Sequence, residues 1–295
     1  MRHKIVKILR EFEGRQVPMK YYMFDWDDNI MFMPTKIYLE TEDGSELGMG
    51  TEDFAHYREN LDPKTGKAYK PFDYEGEMIV GLANNPFRDF KSGESEFIRD
   101  MNNAEIGPAW DDVVEAVNSG SYLAIITARG HNPEVFKKAF YELINNEVEG
   151  ISIDKFYRSI KERNTKAGEK TSSVEEELDD YLDNCLFFPV GFYYPNGGIK
   201  PEEIKLEAIR MFKSSVEELI GYLNERLMLK GITEYKLKPV FGFSDDDLKN
   251  IEFAVKEIKG VNIYSTHGGK KEKVKDEEDE LQLENKIRRL INKIL

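Results

Sequence analysis

Asp25, Asp27 and Asp28 follow the apolar run Tyr21-Tyr22-Met23-Phe24, and a second cluster, Asp245-Asp246-Asp247, follows Val240-Phe241-Gly242-Phe243. Crowded carboxylates raise one another's pKa values and repel. A hard divalent cation with oxygen ligands, such as Mg²⁺, removes that penalty. A carboxylate can also attack a phosphorus centre, giving an aspartyl phosphate that water then hydrolyses. That chemistry needs positive charge and donors around the transferring oxygens, and an acid for the leaving group. Asp25 fits the nucleophile, and Asp27, two residues on, fits an acid that later serves as base. Thr127, closing the run Tyr122-Leu123-Ala124-Ile125-Ile126-Thr127, offers a hydroxyl and a backbone N–H. Asp245 and Asp246 complete the metal site.

These residues need elements that bring them together. Residues 20–24, 122–127, 239–243 and 261–265 read as strands, and 110–118, 133–146, 201 onward and 247–259 as helices. Asn132-Pro133 is an N-cap and N1 pair. In the helix after Pro201, Ile204, Ala208, Phe212, Val216, Leu219 and Leu223 form the inward stripe. Strand and helix in alternation predict an α/β fold, a parallel sheet with helices on both faces. Ligands of such sheets bind at the carboxyl ends of the strands, where Asp25, Thr127 and Asp245 all fall. Residues 40–105 lose periodicity and carry interspersed aromatics, which predicts an inserted cap. The core is then 1–39 and 106–268, with an irregular elaboration over 151–200. Residues 269–295 read as a charged linker and an amphipathic helix with Leu283, Ile287, Leu290 and Ile294 on one stripe. A shorter helix is expected over 3–13.

The strand ending in Phe24-Asp25-Trp26-Asp27, the strand ending in Thr127-Ala128-Arg129-Gly130, and the strand ending in Ser244-Asp245-Asp246 resemble, in that order, the first, second and fourth motifs of the haloacid dehalogenase-like (HAD) phosphohydrolases. The resemblance implies a Rossmann-like core, Asp25 as nucleophile, Asp27 as acid/base, Thr127 as phosphate holder, and Mg²⁺ on Asp25, the Asp27 carbonyl and Asp245, with Asp246 beside it. Asp27 further implies phosphate transfer, because dehalogenase members lack this second acid. The first loop departs from the family in continuing Asp28-Asn29, where many members have glycine and a small residue. The family's third motif is a lysine opening a helix; Lys205 fits it first, with Lys200 and Lys213 as alternatives. Asn29 and Arg129 are expected to touch the substrate, and His131 lies close by. Trp26 lines either the pocket or the core.

The reaction implied is Mg²⁺-dependent hydrolysis of a phosphomonoester: a small metabolite, a nucleotide or a nucleic-acid end. The alternatives are a catalytically silent HAD-like scaffold that binds a partner, or copies of itself, through 281–295, and a phosphotransferase or mutase. A net charge of −14 over 295 residues disfavours long polynucleotides and anionic membranes as partners. One cysteine, Cys185, excludes an internal disulfide and a cysteine-rich zinc site. No apolar run reaches the ~18 residues of a membrane span, and a cytoplasmic location is expected.

Overall fold

In a computed structural model, residues 15–91, 93–167, 170–194 and 200–276 are described. The helix expected over 3–13 and the apolar stripe at 283–294 lie outside them. The main sheet has six strands in the order β12-β11-β10-β1-β8-β9. These are β1 (Arg15–Phe24), β8 (Leu123–Thr127), β9 (Leu186–Pro189), β10 (Tyr235–Asp245), β11 (Asn262–Ser265) and β12 (Glu272–Lys275). All neighbours run parallel except β12, which is antiparallel to β11. The chain therefore forms a mixed α/β fold around a mostly parallel sheet.

The carboxyl-terminal halves of β1 and β10, and all of β8, are buried without alternation because both faces are covered there. Tyr22, Phe24, Leu123, Ile125 and Phe187 pack on one face against α3 (Trp110–Ser119), α4 (Pro133–Asn145), α5 (Ile153–Ala167) and α6 (Val174–Asn184). Tyr21, Met23, Ala124, Ile126, Phe241, Phe243 and Ile263 pack on the other against α8 (Pro201–Leu229) and α9 (Leu248–Glu257). Fully burying each of the larger of these side chains, such as Phe24, Ile125 or Met23, stabilises the fold by about 1.5–3 kcal/mol. α4 opens as the sequence requires, with the Asn132 side chain accepting from the Glu134 N–H at 3.0 Å and Pro133 in the first turn. The inward stripe of α8 includes Ile220, whereas Leu219 is only half-buried. The stretch expected to be irregular resolves into α5, α6, the edge strand β9 and the short α7 (Val190–Tyr193). The linker expected from residue 269 begins instead with β12, a charged edge strand.

The insert between the first two site strands leaves and returns through a two-residue antiparallel ladder, β2 (Met31–Phe32) with β7 (Glu105–Ile106). Within it, β3 (Ile37–Thr41), β4 (Glu46–Met49), β5 (Lys67–Tyr74) and β6 (Glu77–Leu82) form a separate antiparallel sheet in the order β4-β3-β6-β5. Its own core holds Leu39, Met49, Tyr74 and Ile79. The helix α1 (Thr51–Tyr57) lies on this sheet, and Tyr57 stacks on Phe72 with ring centroids 5.2 Å apart. The interspersed aromatics Tyr57, Phe72 and Tyr74 are spent on this packing. The insert starts earlier than residue 40, since β3 begins at Ile37. It ends in α2 (Glu94–Asn102), whose Phe97 and Met101 join the main core.

Among the described residues, no helix is long and apolar enough to cross a membrane.

Candidate functional site

The site forms where β1, β8 and β10 end together. Phe24 pairs with Ser244 on one side and Ile125 on the other, so Asp25, Thr127 and Asp245 emerge from the same end of the sheet. The Asp25 N–H donates to the Ser244 carbonyl at 3.0 Å, fixing the first loop to the end of β10. The chain then turns sharply: the Asp28 N–H donates to the Met31 carbonyl at 2.8 Å, and Asp28 adopts a left-handed φ of 54°. Aspartate tolerates that conformation better than most residues, so the position accommodates a residue other than glycine. Gly107 packs flat on this turn, where an added Cβ would lie 2.5 Å from the Asn29 carbonyl oxygen.

One oxygen from each of the buried carboxylates Asp25, Asp245 and Asp246 lies within 4.8 Å of the others. Lys205, on the second turn of α8, is 3% exposed. Its ammonium stands 2.8 Å from Asp245 Oδ2 and 3.2 Å from Asp25 Oδ1. Of the three candidate lysines only this one reaches the cluster: Lys200 is the exposed N-cap of α8, and Lys213 pairs with Glu217. Asp245 also accepts from Asn250 Nδ2, at 3.0 Å to each oxygen, and from the Asp247 N–H at 2.9 Å. Asp247 caps α9 by accepting from the Lys249 N–H, and its other oxygen meets Arg58 from the insert at 2.8 Å.

Burial raises Asp25 well above the usual carboxylate range, with Lys205 pulling the other way and Asp245 and Asp27 pushing it further up. Burial raises Asp246 too, reinforced by Asp245 and Asp25. Asp28 is pushed up to about 7, by burial and then by Asp27, although it accepts a hydrogen bond from Thr51. Burial would lower Lys205, but Asp245 and Asp25 outweigh it and keep the ammonium charged. One lysine offsets only one of three carboxylates, so ionising the other two calls for further positive charge. Among the described residues, Asp25 Oδ1 has no hydrogen-bond donor in line. A hard divalent cation fits this set: oxygen ligands, close spacing and excess negative charge.

The remaining expected residues divide. Thr127 is buried at the end of β8 and accepts from the Arg129 N–H at 3.3 Å. Asp27 lies outside the carboxylate cluster, and both its oxygens are held by Arg129. Asn29 does not face a substrate. It is fully buried, its amide donates to the Asp25 and Ser244 carbonyls at 3.0 and 3.2 Å, and its oxygen accepts from Thr266 at 3.0 Å. This corrects the expected contact: Asn29 rivets two strand ends together, and the Thr266 N–H adds a bond to the Asp245 carbonyl. Arg129, 1% exposed, is committed to Asp27 and Thr35. Trp26 belongs to the core, against Phe97, Phe136 and Phe140. Four contributors escape a reading of the sequence: Asn250, Thr266, Thr35 and Thr51. Only Asn250 carries a signal, standing in the first turn of the helix that follows the second acidic cluster.

Comparison of the chain with protein-family models, curated proteins and solved structures finds no match in any of the three.

Proposed function

We propose that the chain is a Mg²⁺-dependent phosphomonoesterase of the HAD type, acting on a small phosphorylated molecule. The observation that carries this reading is the meeting of Asp25 and Asp245, from neighbouring parallel strands, around the buried Lys205 ammonium. A structural ion pair needs one carboxylate; a site for a transferring phosphoryl group needs a nucleophile, a cation and excess carboxylates for a metal.

In this reading an Asp25 carboxylate oxygen forms a bond to phosphorus while the bond from phosphorus to the leaving oxygen breaks. Asp27 gives that oxygen its proton. A water oxygen then attacks the same phosphorus, Asp27 takes the water's proton, and the Asp25–phosphorus bond breaks to release inorganic phosphate. Lys205 and the Thr127 hydroxyl and N–H hold the phosphoryl oxygens, and their value lies in being fixed before charge develops. Asp25, Asp245 and Asp246 would hold the Mg²⁺, which when bound supplies charge neutralisation for the carboxylates and the transferring group. The high pKa of Asp25 without metal is consistent with this, because a nucleophile kept neutral by burial gains its charge only beside a cation.

The test is release of phosphate from an aryl phosphate with and without Mg²⁺, in the native chain and in Asp25→Asn. Turnover that needs Mg²⁺ and vanishes in the variant is expected. Full Mg²⁺-dependent activity in Asp25→Asn would remove the nucleophile assignment.

A further inference from the structure

Asp27 is gripped as no other carboxylate of the site is. Arg129 Nε donates to Oδ2 at 2.9 Å and Nη2 to Oδ1 at 2.7 Å, the side-by-side fork that only a guanidinium can make. The same Nη2 donates to Thr35 Oγ1 at 2.6 Å. Thr35 lies between β2 and β3, where the chain crosses from the neck into the insert, and it is itself buried. The guanidinium carbon stands 5.0 Å from the Phe90 ring centre and 5.2 Å from that of Phe97, both residues of the insert. The backbone around it is fixed as well. The Arg129 carbonyl accepts from the Gly191 N–H at 3.0 Å, and the Gly130 N–H donates to the Phe90 carbonyl at 3.0 Å.

We propose that Arg129 is a positioning residue that sets the plane of the Asp27 carboxylate and, through Thr35, ties it to the insert. The inference rests on the phosphohydrolase reading above. Proton delivery demands an orientation good to within roughly 10–20°, and a lone carboxylate on a loop turn would sample several rotamers. The two forked bonds remove that freedom. Each oxygen keeps a second position beyond its bond to Arg129, one of which carries the proton given to the leaving group and, once emptied, accepts the proton of the attacking water. Lysine carries the same charge without the fork. Breaking a buried pair is costly because it strands the remaining charge, so the two residues hold their geometry together. Thr35 makes that geometry depend on where the insert begins.

Steady-state kinetics on an aryl phosphate with Mg²⁺ test this in Arg129→Lys, Thr35→Val, Asp27→Asn and the Asp27→Asn/Arg129→Lys double variant. Arg129→Lys is expected to lower kcat by about 10- to 100-fold with KM within about threefold. Thr35→Val should show the same signature at about three- to tenfold, and it keeps the inference testable if Arg129→Lys does not fold. In the Asp27→Asn background, Arg129→Lys should add little, because the group it orients is already disabled. A rise in KM that persists in that background would mark Arg129 as a substrate contact and overturn the proposal, as would a wild-type kcat in Arg129→Lys. A native chain without Mg²⁺-dependent turnover sinks the hydrolase reading instead. Crystal structures of Arg129→Lys and Thr35→Val then decide the orientation on their own. Asp27 in a new rotamer supports the role, and Asp27 unmoved in both removes it.

Discussion

The Lys205 ammonium is shared between two strands: it stands 2.8 Å from Asp245 Oδ2 at the end of β10 and 3.2 Å from Asp25 Oδ1 just past β1. Replacing it with methionine keeps the stem and removes the charge, leaving three buried carboxylates with only a metal to offset them. Removing one partner of a buried pair costs about 3–5 kcal/mol, and removing one fixed donor from a charge-stabilising site costs about 10²–10³ in rate. Lys205→Met is therefore expected to lose at least 10²-fold in kcat at saturating Mg²⁺. Phosphate release alongside a denaturant midpoint separates the two losses. Unchanged kcat would show that Lys205 serves only the fold.

Metal should stabilise the native chain through the same cluster. A ligand at about 100 times its Kd adds about 2.7 kcal/mol, and each kcal/mol moves the melting point by about 2–4 °C in a chain of this size. Millimolar Mg²⁺ is thus expected to raise Tm by roughly 5–10 °C. The gain should grow with pH, because Asp25 and Asp246, both raised, must lose protons to bind metal. In Asp246→Asn the gain should shrink. A melting point indifferent to Mg²⁺ at pH 8, followed by scanning calorimetry, would remove the metal site.

Much of this site was legible in the sequence because parallel strands buried on both faces are written as unbroken apolar runs. Such runs led to Asp25, Thr127 and Asp245, and the proline-opened helix led to Lys205. What stayed hidden follows from tertiary contact rather than local pattern. β5 exposes most of its residues and pairs with β6 across an irregular register, so it shows no period of two. β9 sits inside the aromatic run Phe187-Phe188-Pro189 that reads equally well as a loop, and β12 is too charged to read as a strand. Asn29 and Arg129 have chemistry suited to a ligand, and nothing in their sequence neighbourhood reveals that they point inward. Thr35 and Thr51 matter only because the insert folds back onto Asp27 and Asp28.

Asn29 should behave as a structural fastener. Its side chain makes three buried hydrogen bonds, to Asp25, Ser244 and Thr266. Asn29→Ala strands the Asp25 carbonyl and the Thr266 hydroxyl away from water, at about 1–3 kcal/mol for each buried group left unsatisfied, while the Ser244 carbonyl keeps its bond from the Asp25 N–H. The expected loss is a few kcal/mol, read as a lower urea midpoint with an unchanged slope. Asn29→Asp is expected to be worse, because its carboxylate would face two carbonyl oxygens. A near-native midpoint in both variants would overturn this role.

His131 supplies a pH signature that is separable from the site. It is buried against Phe97 and Phe136, with neither ring nitrogen bonded among the described residues. Burial, and then the Arg129 charge, lower it from 6.5 to about 4. Its folded pKa lies below its unfolded value, so the unfolded chain takes up the proton first. The stabilisation is fully present above about pH 6.5 and drains away as pH falls toward 4. Asp25, Asp28 and Asp246 run the opposite way: each is raised, so without metal each favours the fold as pH falls. The raw stability curve mixes both signs, and the comparison with His131→Phe isolates one. Phenylalanine fits a pocket lined by rings and cannot ionise. The variant is expected to match or exceed the native chain at pH 5, with an advantage there of order 2 kcal/mol relative to pH 7.5. Urea midpoints at both pH values, with metal chelated, measure the difference. A difference that does not change between pH 7.5 and 5 would mean that His131 is solvated rather than buried neutral.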